Sequence, residues 1–313
     1  MKTFIKSIVK FVPFCLITYI ILFIALGTFP SKYLTSNLNY YIGSLGGHLY
    51  SRLKEVNEFN NVDILFLGSS HACRSFDPRV FEENGFTSFN LGSSGQTPLQ
   101  TEVLLNRYLK KLNPQLIIYE VYPKPFCYTG VEPAFDIISN DKNDLYSIDM
   151  ALKINNFKVY NTLIYGLFRD FFNLNASFKE EKTKGDNTYI SGGYVETKIA
   201  YYKNENIYTE NKWGFNATQF KAFERIISIF NENNIDFILV IVPFPASLYN
   251  SYINNYEFDS IMNNYGKYYN YNEIMHLNDS LDFYDNNHLN QIGAEKLSRK
   301  LANDIKEQNL YKH

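Results

Sequence analysis

Cysteine is scarce in this chain, three in 313 residues, and no two stand in a Cys-x-x-Cys spacing, which removes zinc-ribbon and thioredoxin-type readings. Cys15 lies in an apolar run, which leaves Cys73 and Cys127 either to pair in an oxidising compartment or to stand as two isolated thiols. An excess of one charge is lacking as well: 30 Lys and Arg against 32 Asp and Glu give a formal net charge of -2. No basic run lies beyond the first ten residues, so the electrostatic footprint of a nucleic-acid binder is missing. Internal repeats and low-complexity tracts are also missing, which excludes solenoids and propellers. Tryptophan occurs once, whereas tyrosine and phenylalanine occur 26 times each, material for an aromatic core or for a surface on which sugar rings stack. With 45% hydrophobic and 20% charged residues, the chain can bury one large domain or a domain carrying insertions.

The N-terminus carries the clearest physical signal. Lys2, Lys6 and Lys10 precede an uncharged run from Phe11 to Phe29, which at ~1.5 Å per residue nearly crosses a ~30 Å hydrocarbon layer. Lysines ahead of the run predict a cytoplasmic N-terminus (residues 1–10), a single-pass anchor at residues 11–29 in the cell membrane, and an extracytoplasmic body. Ala25 and Gly27 are placed like a signal-peptidase site, so a cleaved signal peptide is the competing reading. A polar connector is expected over residues 30–61 and the folded domain over 62–313.

Within that domain, Asp63 to Leu67, Thr87 to Leu91, Gln115 to Val121 and Asp236 to Val242 are short apolar runs of the buried parallel-strand kind. Helical spacing falls between them, at Pro98 to Leu112, Ala217 to Asn233 and Ala246 to Asn264, with a last helix at Gln291 to Lys306. The alternation predicts an α/β fold of three layers, α/β/α, around a mostly parallel sheet. It breaks between about 123 and 216, where Leu145 to Phe172 looks helical and Ser177 to Trp213 is polar and rich in tyrosine; an insertion or cap is expected there.

Ligands of such sheets bind beyond the carboxyl ends of the strands. After the first run stands Gly68-Ser-Ser-His-Ala-Cys-Arg74, where Ser70 at a helix start is the candidate nucleophile and its N–H a candidate oxyanion donor. After the second stands Asn90-Leu-Gly-Ser-Ser-Gly-Gln-Thr97, where Gly92 and Gly95 are further oxyanion candidates. Near the C-terminus, Asp285 and His288 are three residues apart, the spacing of a base and the carboxylate that orients it. Ser69 is the alternative nucleophile. Candidate substrate contacts are His71, which either lines the site or faces solvent; Arg74, which grips an anionic group or forms a structural ion pair; and Asn90 and Asn290. Glu120 is either an extra acid or the partner of a Lys or Arg. Asp279, Asp282, Asp285 and His288 recur every third residue, but in a turn-rich stretch that scatters side chains, so no metal is expected.

These blocks resemble the SGNH, or GDSL-type, hydrolase superfamily: Gly68-Ser69-Ser70 stands for its first block, with Ser in place of Asp, Gly95 for its oxyanion glycine, and Asp285 with His288 for its last block. Its Gly-x-Asn-Asp block has no counterpart, for Tyr119-Glu-Val-Tyr-Pro123 occupies that place. Arg74, Phe76-Asp77-Pro78 and His288-Leu-Asn-x-x-Gly293 are similar to membrane-anchored acyl-transfer branches, including the D-alanyl transfer protein of teichoic acid modification and SGNH-like proteins of polysaccharide O-acetylation. The resemblance implies O-acylation or deacylation of an envelope or secreted polysaccharide through an acyl-serine, without a cofactor, beside a membrane-bound O-acyltransferase. An idle SGNH-like module that binds glycan or scaffolds that partner is the alternative.

Overall fold

Uninterrupted apolar runs bounded by polar turns are stable only where both faces of a sheet are covered, and the computed structural model covers them with helices. It describes residues 1–28, 37–43, 47–203, 207–308 and 310. In chain order the helices are α1 (Lys2–Thr28), α2 (Leu49–Glu55), α3 (Ser70–Ser75), α4 (Pro78–Glu83), α5 (Pro98–Leu112), α6 (Val131–Asn140), α7 (Leu145–Ile154), α8 (Phe157–Phe171), α9 (Ala217–Glu232), α10 (Ala246–Tyr249), α11 (Asn255–Asn263), α12 (Tyr271–Ile274) and α13 (Gln291–Glu307). The strands are β1 (Ile64–Leu67), β2 (Ser88–Asn90), β3 (Leu116–Glu120), β4 (Thr183–Lys184), β5 (Asn187–Ile190), β6 (Tyr194–Thr197), β7 (Asp236–Ile241) and β8 (Tyr268–Asn270).

The chain divides into two compact units, one of residues 1–42 and 134–179, the other of 43–133 and 180–313. In the second, five parallel strands lie in the order β2-β1-β3-β7-β8. Alternate side chains cover its two faces. Ile64, Phe66, Ile118 and Val240 pack with α3, α4 and α13 through Ala72, Phe81, Leu297 and Leu301. Tyr119 turns the other way and meets Phe223 of α9. The three-layer expectation is met.

Local chemistry explains the boundaries. Pro98 starts α5 where its missing N–H costs nothing, and the Gln100 side chain accepts the Thr97 N–H at 3.2 Å. Asp77 caps α4 ahead of Pro78, and Asn290 caps α13. The single helix expected over Leu145 to Phe172 is two, because Asn155 enters the left-handed region (φ 50°) and Asn156 caps a new start. The one expected over Ala246 to Asn264 is also two, because Ser251 and Ile253 give their backbone groups to Asn211. Several elements escaped the periodicity: helices α4, α6 and α12, the strand β8, only three residues long, and the antiparallel sheet β4-β5-β6 inside the polar, tyrosine-rich stretch.

Part of the expected connector, residues 30–36 and 44–46, and the end of the apolar run at Phe29 lie outside the described residues. The remainder is no loose tether. Leu49, Leu53 and Val56 are buried core. In the first unit, α1 is an apolar helix long enough to cross a membrane, and it lies along α8: the Tyr19 hydroxyl donates to Asn161, and the Tyr165 hydroxyl to the Gly27 carbonyl.

Phe66 is fully buried between the rings of Phe76 and Phe81, each with its centroid 4.8 Å away. Phe66→Ala is expected to cost about 3–5 kcal/mol in urea unfolding, because the void is walled by helices on a rigid sheet. A loss below about 1 kcal/mol would contradict the packing described.

Candidate active site

The nucleophile turn follows from Gly68, whose φ of 138° carries the chain away from β1 where a Cβ would strike the Glu120 side chain at 2.6 Å. Ser69 then caps α3 by accepting the His71 N–H, and Ser70 opens the helix, half-exposed. Ser70 Oγ lies 2.9 Å from His288 Nε2. His288 Nδ1 lies 3.1 and 3.0 Å from the two oxygens of Asp285, which also accepts the backbone N–H groups of Asn287 and His288. Burial alone would raise the Asp285 carboxyl, but the hydrogen bond and charge of the His288 ring, with those two N–H groups, hold it down to about 2. An ionised Asp285 only accepts, so Nδ1 carries the proton and Nε2 presents a lone pair to the Ser70 hydroxyl. Sequence reasoning named these three residues, and the structure brings them together.

Serine, a histidine base and an orienting carboxylate in hydrogen-bonded series form the constellation of acyl transfer. The chain is similar in fold to two solved acylhydrolase-type structures. One is a protein of Bacteroides fragilis described as an acylhydrolase, at 13% identity and a TM-score of 0.41, with 82% of this chain and 95% of that chain covered. The other is a GDSL-like lipase of Bacteroides thetaiotaomicron, also at 13% identity and 0.41, covering 83% of this chain and 98% of that one. No family model and no curated protein matches the chain. At this level the likeness concerns outline alone, and the site stands on its own geometry.

Several expected roles change. Gly92 is no oxyanion donor, because its N–H is given to Asn90 Oδ1 at 2.9 Å. Asn90 is fully buried and also donates to the Ala72 carbonyl, so it ties the second loop to α3 and meets no substrate. Asn290 is likewise spent, accepting the Gly293 N–H and donating to the carbonyls of Leu281 and Ala200. His71 does not face solvent: it is buried, its ring 4.1 Å from Tyr122 and 5.1 Å from His288 by centroid, and burial with the His288 charge keeps it neutral. Arg74 makes no ion pair among the described residues and donates to Thr197. Cys73 and Cys127 are free thiols. Asp282 pairs with Lys296 and Asp279 accepts the Ala246 N–H, so the every-third-residue carboxylates diverge.

Gly95 has a φ of 63°, and its loop is held against the nucleophile turn by Ser93 N–H to the Gly68 carbonyl. Among the described residues no acceptor takes the N–H of Gly95 or of Ser70.

Glu120, Tyr122 and Asn287 matter more than residue type alone suggests. Glu120 is buried with no cation beside it among the described residues; it accepts Ser69 N–H and Oγ–H, both at 2.8 Å, and the Tyr122 N–H at 2.6 Å. Tyr122 Oη in turn donates to Asn287 at 2.9 Å, steadying the turn that holds Asp285 and His288. The only sequence clue was negative: a carboxylate at a buried strand end with no basic residue adjacent.

Burial pushes the Glu120 carboxyl up to about 7, against the opposing pull of Ser69 and Tyr122. A carboxyl raised on folding favours the folded state below its unfolded value near 4.5, and that stability is lost as pH rises through 7, about 3 kcal/mol in all. The stability advantage of wild type over Glu120→Gln should therefore shrink by roughly that amount between pH 4.5 and 7 in urea unfolding. A difference that stays flat over this window would mean that Glu120 is not desolvated.

Proposed function

We propose that the protein is an extracytoplasmic serine acyl-transfer enzyme that adds or removes O-acyl groups, acetyl first among them, on a cell-envelope or secreted polysaccharide. The observation that carries the reading is the Ser70–His288–Asp285 series, each link within hydrogen-bond reach. His288 Nε2 takes the Ser70 proton as Oγ attacks the acyl carbonyl carbon. The bond from that carbon to the donor oxygen breaks, and the proton on Nε2 goes to the departing oxygen. An incoming hydroxyl then gives its proton to His288, attacks the acyl-Ser70 carbonyl and leaves with the acyl group, the proton returning to Ser70 Oγ. Water as acceptor gives an esterase; a sugar hydroxyl gives a transferase.

Two features favour a slow transferase over a fast esterase. Glu120 and its neighbours stand where an oxyanion donor is expected, and one missing donor costs ~100- to 1000-fold in turnover. The apolar α1 supports a single-pass anchor, which would keep the site beside the membrane where such polymers and a membrane-bound O-acyltransferase meet. The assembled triad speaks against an idle module.

Full-length protein incubated with p-nitrophenyl acetate is expected to show a burst and an acetyl adduct on Ser70 by mass spectrometry. Ser70→Ala should lose the adduct and reduce turnover by a factor on the order of 1000 or more. If wild type shows neither burst nor adduct, the enzyme reading fails and the scaffold reading takes its place.

A further inference from the structure

Helix α8 is apolar on two sides. One side, with Val159, Leu163 and Gly166, is buried in its own unit. On the other, Phe157, Tyr160, Ile164, Leu167 and Phe171 follow one another at spacings of three and four, the stripe of one helix face, with no charged residue among them. That stripe is open at its two ends, where Phe157 is 82% exposed and Phe171 83%, with Tyr160 and Ile164 partly buried between them. Helix α7 repeats the arrangement with Leu145, Ile148 and Leu152, exposed by 80%, 37% and 62%. Scattered exposed apolar residues need no explanation, but two neighbouring helices with such stripes do.

The position of α8 along α1 says what covers them. Asn161 is hydrogen-bonded to Tyr19, and Tyr19 lies six residues, about 9 Å, before Ala25, where the apolar span ends. Tyr165, one turn further along α8, reaches the Gly27 carbonyl just past that end. The first half of α8 is thus held at a depth where α1 itself requires hydrocarbon, and an apolar stripe beside it at that depth faces acyl chains. We infer that the start of α8, at Phe157, and the end of α7, at Leu152, are sunk into the lipid of the membrane that α1 crosses, so that this unit is fixed by three helices and not by one. The inference rests on the reading of α1 as a membrane span.

The test uses full-length protein reconstituted in phosphatidylcholine vesicles, with phospholipids brominated on the acyl chain as the quencher. Phe157→Trp, Phe171→Trp and Leu152→Trp place a reporter on each stripe, Phe14→Trp places one on α1, and the parent, with Trp213 alone, supplies the baseline. The tryptophans at 14, 152 and 157 are expected to emit to the blue and to lose intensity when brominated lipid replaces plain lipid, and the one at 171, past the end of the span, is not. Quenching at position 14 without quenching at 152 and 157 overturns the inference and leaves the anchor standing. No quenching at 14 overturns the anchor reading and the inference with it. Blue emission at 152 and 157 without quenching by lipid would mean that a second copy of the chain covers them, and would also overturn the inference.

Discussion

The site depends on one buried carboxylate. Glu120 stands at the end of the central strand β3 with all its hydrogen bonds directed to neighbouring turns: the nucleophile turn through Ser69, and its own strand exit through Tyr122. Ser69 passes the constraint on by accepting the His71 N–H, which fixes the start of α3 and so the place of Ser70. Tyr122 carries it the other way, through its hydroxyl to Asn287 and so to the Asp285–His288 turn. Two segments 218 residues apart are brought to within 2.9 Å by this arrangement. An acceptor with three donors and no cation is costly to bury, and that cost is what holds its carboxyl near neutrality.

The elements that could be read in advance share a physical trait. β1, β3, β7, α5, α9 and α13 lie in the core, where periodicity is set by burial, and their observed limits fall within a residue or two of the expected ones. The elements that could not be read are those whose existence depends on distant partners. β8 is three residues added to a sheet edge, and β4-β5-β6 forms where the Gly192 carbonyl accepts the Asn90 N–H. The breaks at Asn155 and at Tyr252 are likewise tertiary or capping events inside stretches of helical composition.

The candidate site divides in the same way. Ser70, Asp285 and His288 were legible because their chemistry is carried by side chains whose order and spacing leave few alternatives. Gly92, Asn90 and Asn290 were misread for one reason: short polar residues and glycines at strand ends serve the backbone as often as they serve a ligand. Asn90 and Asn290 each satisfy backbone groups on two sides, which fixes the loops around the site and leaves their amides nothing to offer a substrate. Residue type leaves the place of His71 open because exposure is decided by what packs above a residue, here Tyr122 and Phe244, and neither is near it in sequence.

The balance of charges explains why a neutral histidine belongs beside the catalytic one. During acyl transfer His288 becomes an imidazolium, and its positive charge is offset by Asp285, held ionised by the His288 ring and two backbone N–H groups despite partial burial. A second cation within about 5 Å would oppose that charge at the moment it forms. Burial keeps His71 uncharged at the pH where Asp285 is ionised, so its ring packs beside His288 without placing a second positive charge there. The residues beneath the triad therefore act on it in two ways: Glu120 and Tyr122 set distances through hydrogen bonds, and His71 sets the orientation of the base by packing while adding no charge.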